Sequence, residues 1–184
     1  MSTKPVDVGL AQALEAQGDP SRRVLAVRCL GAIGDLRDLL EALVDERNPE
    51  VRQAAIETLR HWIGLHKDNE LILHDFLIQK DYRPREADSV LGLLHSFPRT
   101  ALGRPETYAR LIDLLHQDKS AIRDLAYWHL SRLVPQGNDP SFDPHGDSGQ
   151  VERAYRAWKK LIPEGSLPPQ PTKSGPKPEP KPPR

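Results

Sequence analysis

Cysteine occurs once in the 184 residues, at Cys29, so no internal disulfide can staple the fold and the redox compartment is left open. Its place between Arg28 and Leu30, in an apolar-periodic segment, reads as a small buried hydrophobe. An excess of charge of either sign is also missing. Lys plus Arg and Asp plus Glu both number 26, so there is no net field to concentrate a polyanion, and nucleic acid starts as an unfavoured partner. Residues 1–18 lack the continuous apolar stretch of a signal peptide, and no run nears the roughly 18 apolar residues of a membrane helix. As written, the chain is expected to be soluble and cytoplasmic, although a chain that starts abruptly in a repeat array can be the end of a longer protein.

Reactive motifs are equally scarce. Six histidines, His61, His66, His74, His95, His116 and His129, form no i, i+4 pair with a third ligand, and nothing like His-Glu-x-x-His occurs, so no metal is expected. Carboxylate pairs such as Asp35 with Asp38 are what a 28% charged chain produces by chance. Gly31-Ala-Ile-Gly34 lacks the third glycine or Gly-Lys-Ser/Thr of a phosphate loop and reads as a helix end. No segment alternates with the period of two that marks a strand.

What is present is repetition. Asp19-Pro20-Ser-Arg-Arg23-Val-Leu-Ala26 and Asn48-Pro49-Glu-Val-Arg52-Gln-Ala-Ala55 coincide in Pro, Arg and Ala at a shift of 29 residues. A further shift of 71 brings Ala121-Ile-Arg123-Asp-Leu-Ala126 onto the same pattern, and about half-way Pro84 opens a degenerate unit that keeps the proline but loses the arginine. The physical content is local: Asp or Asn caps a helix, proline occupies its first turn, and small residues admit a neighbouring helix. These are second helices of hairpins. First helices lie between them on Leu36, Leu39, Leu40 and Leu43, on Leu71, Ile72 and Phe76, and on Tyr108, Leu111, Ile112 and Leu115.

A Pro- and Gly-rich connector follows at 135–147. Then Val151, Ala154, Tyr155, Trp158 and Leu161 recur at helical spacing over 148–162, a capping helix for the last hairpin. From Pro163 to Arg184 nine prolines and few large apolar side chains predict a disordered tail with polyproline II bias, in which Pro168–Pro171 and Pro180–Pro183 are spaced as PxxP.

Pro49, Val51, Arg52, Ala54, Ala55 and Leu59, with Leu30-Gly-Ala-Ile-Gly34-Asp35, resemble the second helix and exit turn of HEAT-like repeats over roughly residues 6 to 134. Arg123 to Leu130, Asp143-Pro144 and Trp158 to Pro163 resemble the C-terminal HEAT-repeat region of bacterial proteins of unassigned activity. The resemblance implies an all-α, right-handed α-solenoid of about four hairpins over 1–134, a monomer that binds a protein partner without catalysis or a cofactor. It also implies that Arg23, Arg52 and Arg123 bond the preceding turn or a nearby aspartate such as Asp45 or Asp118. Two rival functions come with the family, nucleic-acid binding of the kind found in a HEAT-like DNA glycosylase, and a bilin lyase-like enzyme; the near-neutral charge and the lack of a catalytic set weigh against them. Gln53, Glu57, Arg60, Asp124 and Trp128 fall on polar-face positions of the second helices and are the candidate partner contacts. Trp62 aligns with a core position, and His129, among Ile122, Leu125, Ala126 and Leu130, is expected to be a hydrogen-bonded core residue.

Overall fold

The computed structural model describes residues 9–10, 13–14, 19–45, 47–139 and 142–170. Among them all regular structure is helical. Helix α1 (Pro20–Ile33) is opened by Asp19, whose carboxylate accepts the Ser21 amide at 2.9 Å, with proline at its start where no N–H partner is needed. It closes on Gly34, whose φ of 74° is left-handed and lets its amide reach back to Gly31 and Leu30. Asp35 then caps α2 (Leu36–Leu43) by accepting from Asp38 N at 3.2 Å.

Helix α3 (Pro49–Ile63) starts differently from the expectation of an asparagine cap. Asn48 makes no capping bond; its side-chain amide and backbone N–H both turn to Asp45 Oδ1, at 3.2 and 2.7 Å. The chain continues through α4 (Asn69–Gln79) to α5 (Pro84–Leu94), where Glu86 closes a capping box by accepting from Arg83 N at 2.8 Å. A short α6 (Arg99–Leu102) precedes α7 (Pro105–Asp113) and a 3-10 turn, Leu114–His116. Helix α8 (Ser120–Leu133), a second 3-10 turn (Pro135–Gly137) and α9 (Ser148–Leu161) complete the described helices.

The hairpins α2/α3, α4/α5 and α7/α8 pair the expected first and second helices, and among the described residues α1 packs along α3 in the most extensive helix contact. Leu36, Leu39, Leu40 and Leu43 are buried, as are Tyr108, Leu111, Ile112 and Leu115. The third first-helix behaves otherwise. Leu71 and Ile72, expected in the core, are 65% and 49% exposed, while Leu73 and Leu77 are fully buried and Phe76 lies between. The physical reason is that α4 is apolar on every side, so periodicity cannot choose its inner face and packing does. Cys29, expected to be buried, is only partly so. Trp62 and Trp158 are core residues, and α9 lies across α7 and both 3-10 turns. Residues 163–170 continue past α9 without helix, and Pro169 O accepts from Gln136 Nε2 at 2.6 Å. The remainder of the proline-rich tail, with the second PxxP and the last residue of the first, lies outside the described residues.

Close approach of α1 and α3 rests on Gly31. A Cβ there would sit 2.0 Å from Thr58 Cγ2, and threonine, branched at Cβ, is stiff. Gly31→Val should therefore lower stability by about 2 kcal/mol, since overpacking outweighs the gain in helix propensity. By contrast nothing lies within 4 Å of a Cβ at Gly92, an exposed interior position of α5. Gly92→Ala should raise stability by about 0.5–1 kcal/mol. Urea denaturation of the two variants beside the parent chain checks both signs.

Candidate partner-binding groove

The repeated arginines organise the second helices. Arg23 of α1 is ion-paired with Asp45, whose carboxylate also accepts the Arg47 and Asn48 amides at 3.0 and 2.7 Å. Burial alone would push the Asp45 carboxyl up, but these hydrogen bonds, led by the Asn48 amide, outweigh it and hold the carboxyl below its ordinary value. Arg123 of α8 donates from Nη1 to the carbonyls of Gln117 and Asp118, at 2.6 and 2.8 Å, and from Nε to Pro144 O at 2.7 Å. Both reach the turns that the sequence singled out.

Arg52 does more. Only 2% exposed, it donates to Asp45 O at 2.8 Å, sets Nε 3.0 Å from Asp124 Oδ2, and donates to Asp143 Oδ1 at 2.9 Å. Asp124 is also met by His145 Nε2 at 2.6 Å, and Asp143 Oδ1 accepts the His145 amide at 3.0 Å. One buried guanidinium thus fastens α3 to α8 and to the stretch Asp143–His145.

Beside this cluster the α3, α5 and α8 helices meet through Arg60 and Trp128. Arg60 Nη1 donates to Leu94 O and His95 O, at 2.6 and 3.1 Å, placing a cation on the free carbonyls at the end of α5. Its guanidinium lies 4.6 Å from the Trp128 ring centre and that of Arg132 lies 3.9 Å from it. Burial, and then the neighbouring Arg132, pulls the Arg60 pKa down. Arg132 is held in turn by Glu57 Oε1 at 3.2 Å, an oxygen that also accepts from Gln53 Nε2 at 3.1 Å. His129 is the expected core residue: 4% exposed, with Nε2 2.6 Å from Leu93 O and Phe97 against its ring edge. Desolvation is the main cause that lowers its pKa.

Between α3, α8 and residues 138–139 and 142–144 these side chains enclose a groove of about 430 Å³. Ile56, Tyr127, Trp128 and Phe142 line it, with Gln53 and Arg132 at its edge. The Tyr127 ring meets Phe142 edge-on at 4.7 Å, and its hydroxyl is 2.6 Å from Asn138 Oδ1. Of the five residues expected at a partner surface, Gln53 and Glu57 are exposed, and Trp128 is a half-buried wall. Arg60 points instead to the end of α5. Asp124 is buried beneath the groove as the counter-ion of Arg52, because Arg52 from α3 and His145 from beyond α8 both close on its carboxylate, whereas Gln53 at the same repeat position stays exposed. Phe142, Asp143 and His145 were hidden in the sequence by their place in a Pro/Gly-rich stretch; the Asp-Pro-His run was the signal of an ordered segment. Among the described residues no group of three or more His, Cys, Asp or Glu could hold a metal ion, and no helix is long and apolar enough to cross a membrane.

Helical hairpins joined by a repeated arginine, with second helices packed side by side, define an α-helical repeat protein. Residues 8–91, just under half of the chain, match the family model described as HEAT repeats. No curated protein and no solved structure matches the chain. HEAT repeats are usually non-catalytic modules.

Loss of the buried guanidinium leaves Asp124 and Asp143 without their cation. Arg52→Met should cost about 3 kcal/mol in urea denaturation, and Arg52→Met with Asp124→Leu should regain much of that. A second check uses pH. His129 has a lowered pKa in the folded chain, so the unfolded chain binds more protons once pH falls below the ordinary histidine range; His129 therefore takes stability away on acidification. His129→Gln should lose less of its thermal midpoint than the parent chain over that interval.

Proposed function

We propose that the chain is a non-catalytic interaction scaffold that holds a segment of a protein partner in the groove between α3, α8 and residues 138–139 and 142–144. The observation that carries this reading is the composition of the groove. Aromatic and aliphatic walls offer apolar contact, tryptophan and arginine are the residues that most often dominate binding energy, and Gln53 stands at the edge with hydrogen-bonding groups and is met from outside the groove by Glu57. The charge there is mixed, Glu57 and Asp143 beside Arg52 and Arg132, which suits a peptide with both polar and apolar groups better than a phosphate backbone. Rigidity supports it further: Trp128 is held between two fixed arginines and Tyr127 by a hydrogen bond, so little side-chain freedom is lost when a partner docks.

The experiment is capture from a lysate of the native cells on the immobilised full chain, identification by mass spectrometry, and titration of the retained protein against the parent chain and Gln53→Arg by calorimetry. A protein whose affinity falls about tenfold or more with Gln53→Arg, while circular dichroism and thermal midpoint stay unchanged, is the expected result. Retention of nucleic acid alone, or binding indifferent to the substitution, overturns the groove as the site.

A further inference from the structure

We propose that the folded chain associates with a second copy of itself, the open face of α1 in one copy docking on the exposed apolar side of α4 in the other. This inference is independent of the groove, and it departs from the monomer expected of the sequence, because both surfaces come into being only when the helices choose their inner faces.

Repeat register shows what the α1 face is. Shifted by 29 residues, Leu25, Cys29 and Ile33 fall on Ala54, Thr58 and Trp62 of α3. That face of α3 is where α1 itself packs: a Cβ at Gly31 would meet Thr58, and Gly34 lies against Trp62. Ala54 is accordingly 3% exposed and Trp62 9%. At the same positions on α1, Leu25 is 63% exposed and Ile33 47%. A repeat surface left to solvent is ordinarily polar. This one presents large aliphatic side chains in a row, a surface of the kind that marks an interaction site.

A second surface in the same chain fits it. On α4 the exposed Leu71 and Ile78 lie on one stripe with Asp75 between them, Ile72 lies beside it, and Glu70 is adjacent. The α1 face has Arg22 and Arg28 exposed around Leu25, and no acidic residue at the exposed positions of that helix. Apolar groups ringed by arginine in one case and by carboxylates in the other are complementary, while α1 against α1 would bring arginine to arginine. Asp75 is 65% exposed at its side chain, with Oδ1 3.6 Å from His74 Nδ1, so it can meet a guanidinium without leaving a buried site. Because two different surfaces are paired, the contact is heterologous and each pair leaves one face of each kind available for further growth.

The test is sedimentation velocity of the full chain over a wide concentration range, with Arg28→Glu and Asp75→Arg, both at exposed positions where folding is not at stake. The parent chain should show concentration-dependent species larger than a dimer, each single variant should weaken association about tenfold or more, and an equal mixture of the two variants, in which every contact again pairs opposite charges, should recover species larger than a dimer. Maleimide labelling of Cys29, the single thiol, should slow as the parent chain associates. A chain that stays monomeric throughout overturns the proposal and leaves the α1 face to a helical repeat of another polypeptide. Association that neither variant changes, or that Arg28→Glu alters and Asp75→Arg does not, overturns it as well, the last result assigning α1 to α1.

Discussion

A guanidinium withdrawn from water must find acceptors for its N–H groups, and the segments that supply them are thereby fixed in place. Arg52 meets this demand with a turn carbonyl just ahead of its own helix and a carboxylate far along the chain at Asp143, while its Nε, which makes no hydrogen bond, sits against the α8 carboxylate of Asp124 as an ion pair. The coupling of α3 to α8, the position of residues 143–145 and the groove above them all depend on that one side chain. Such a cluster adds little net stability compared with an apolar core of the same size, since desolvation offsets much of the attraction. What it fixes is register: a slip of one helix along the other would strand a buried charge.

The same logic explains how the array tolerates its degenerate unit. Helix α5 has Ala87 where its neighbours have the arginine, and so cannot fasten itself to the turn before it. Arg83 and Glu86 take over the start of that helix through the capping box, and Arg60, arriving from α3, covers the carbonyls at its end. His129 holds Leu93 from the side of α8. Between α1 and α3 the contact is made by small residues in close approach; between α3, α5 and α8 it is made by long side chains that reach across. An aromatic ring between two cations is a consequence of this second mode, because the arginines that serve α5 and Glu57 cross over Trp128 on their way.

How far this could be read from the sequence follows from which physical cues are local. Proline at helix starts, glycine at the end of α1 and the 29-residue spacing are local cues that placed α1, α3 and α5, and the recurrence of Arg and Ala 71 residues on placed α8. The resemblance to HEAT-like repeats pointed the arginines to the preceding turn or to Asp45 and Asp118, which Arg23 and Arg123 meet, while Arg52 adds Asp124 and Asp143, which it did not name. Where amphipathicity was absent, as along α4, the pattern named Leu71 and Ile72 while packing took Leu73 and Leu77. The groove was half legible: Gln53, Glu57 and Trp128 follow from the polar faces of two aligned helices, but Asp143 and His145 reach it from nearly a hundred residues beyond Arg52 by a path no periodicity encodes.

The α9 and α1 sides of the array differ in a way that bears on what such a fold can do. At one end α9 lays Trp158 and Val151 onto the last hairpin and turns Arg153, Arg156 and Lys160 outward, so that end is finished with charge. On the side of α1, Leu25 and Ile33 turn outward with Arg22 and Arg28 around them, aliphatic groups where α9 has charges. Stacking energy in a repeat protein is carried by the interfaces between neighbours, so exposed aliphatic groups in the internal register retain the tendency to be covered.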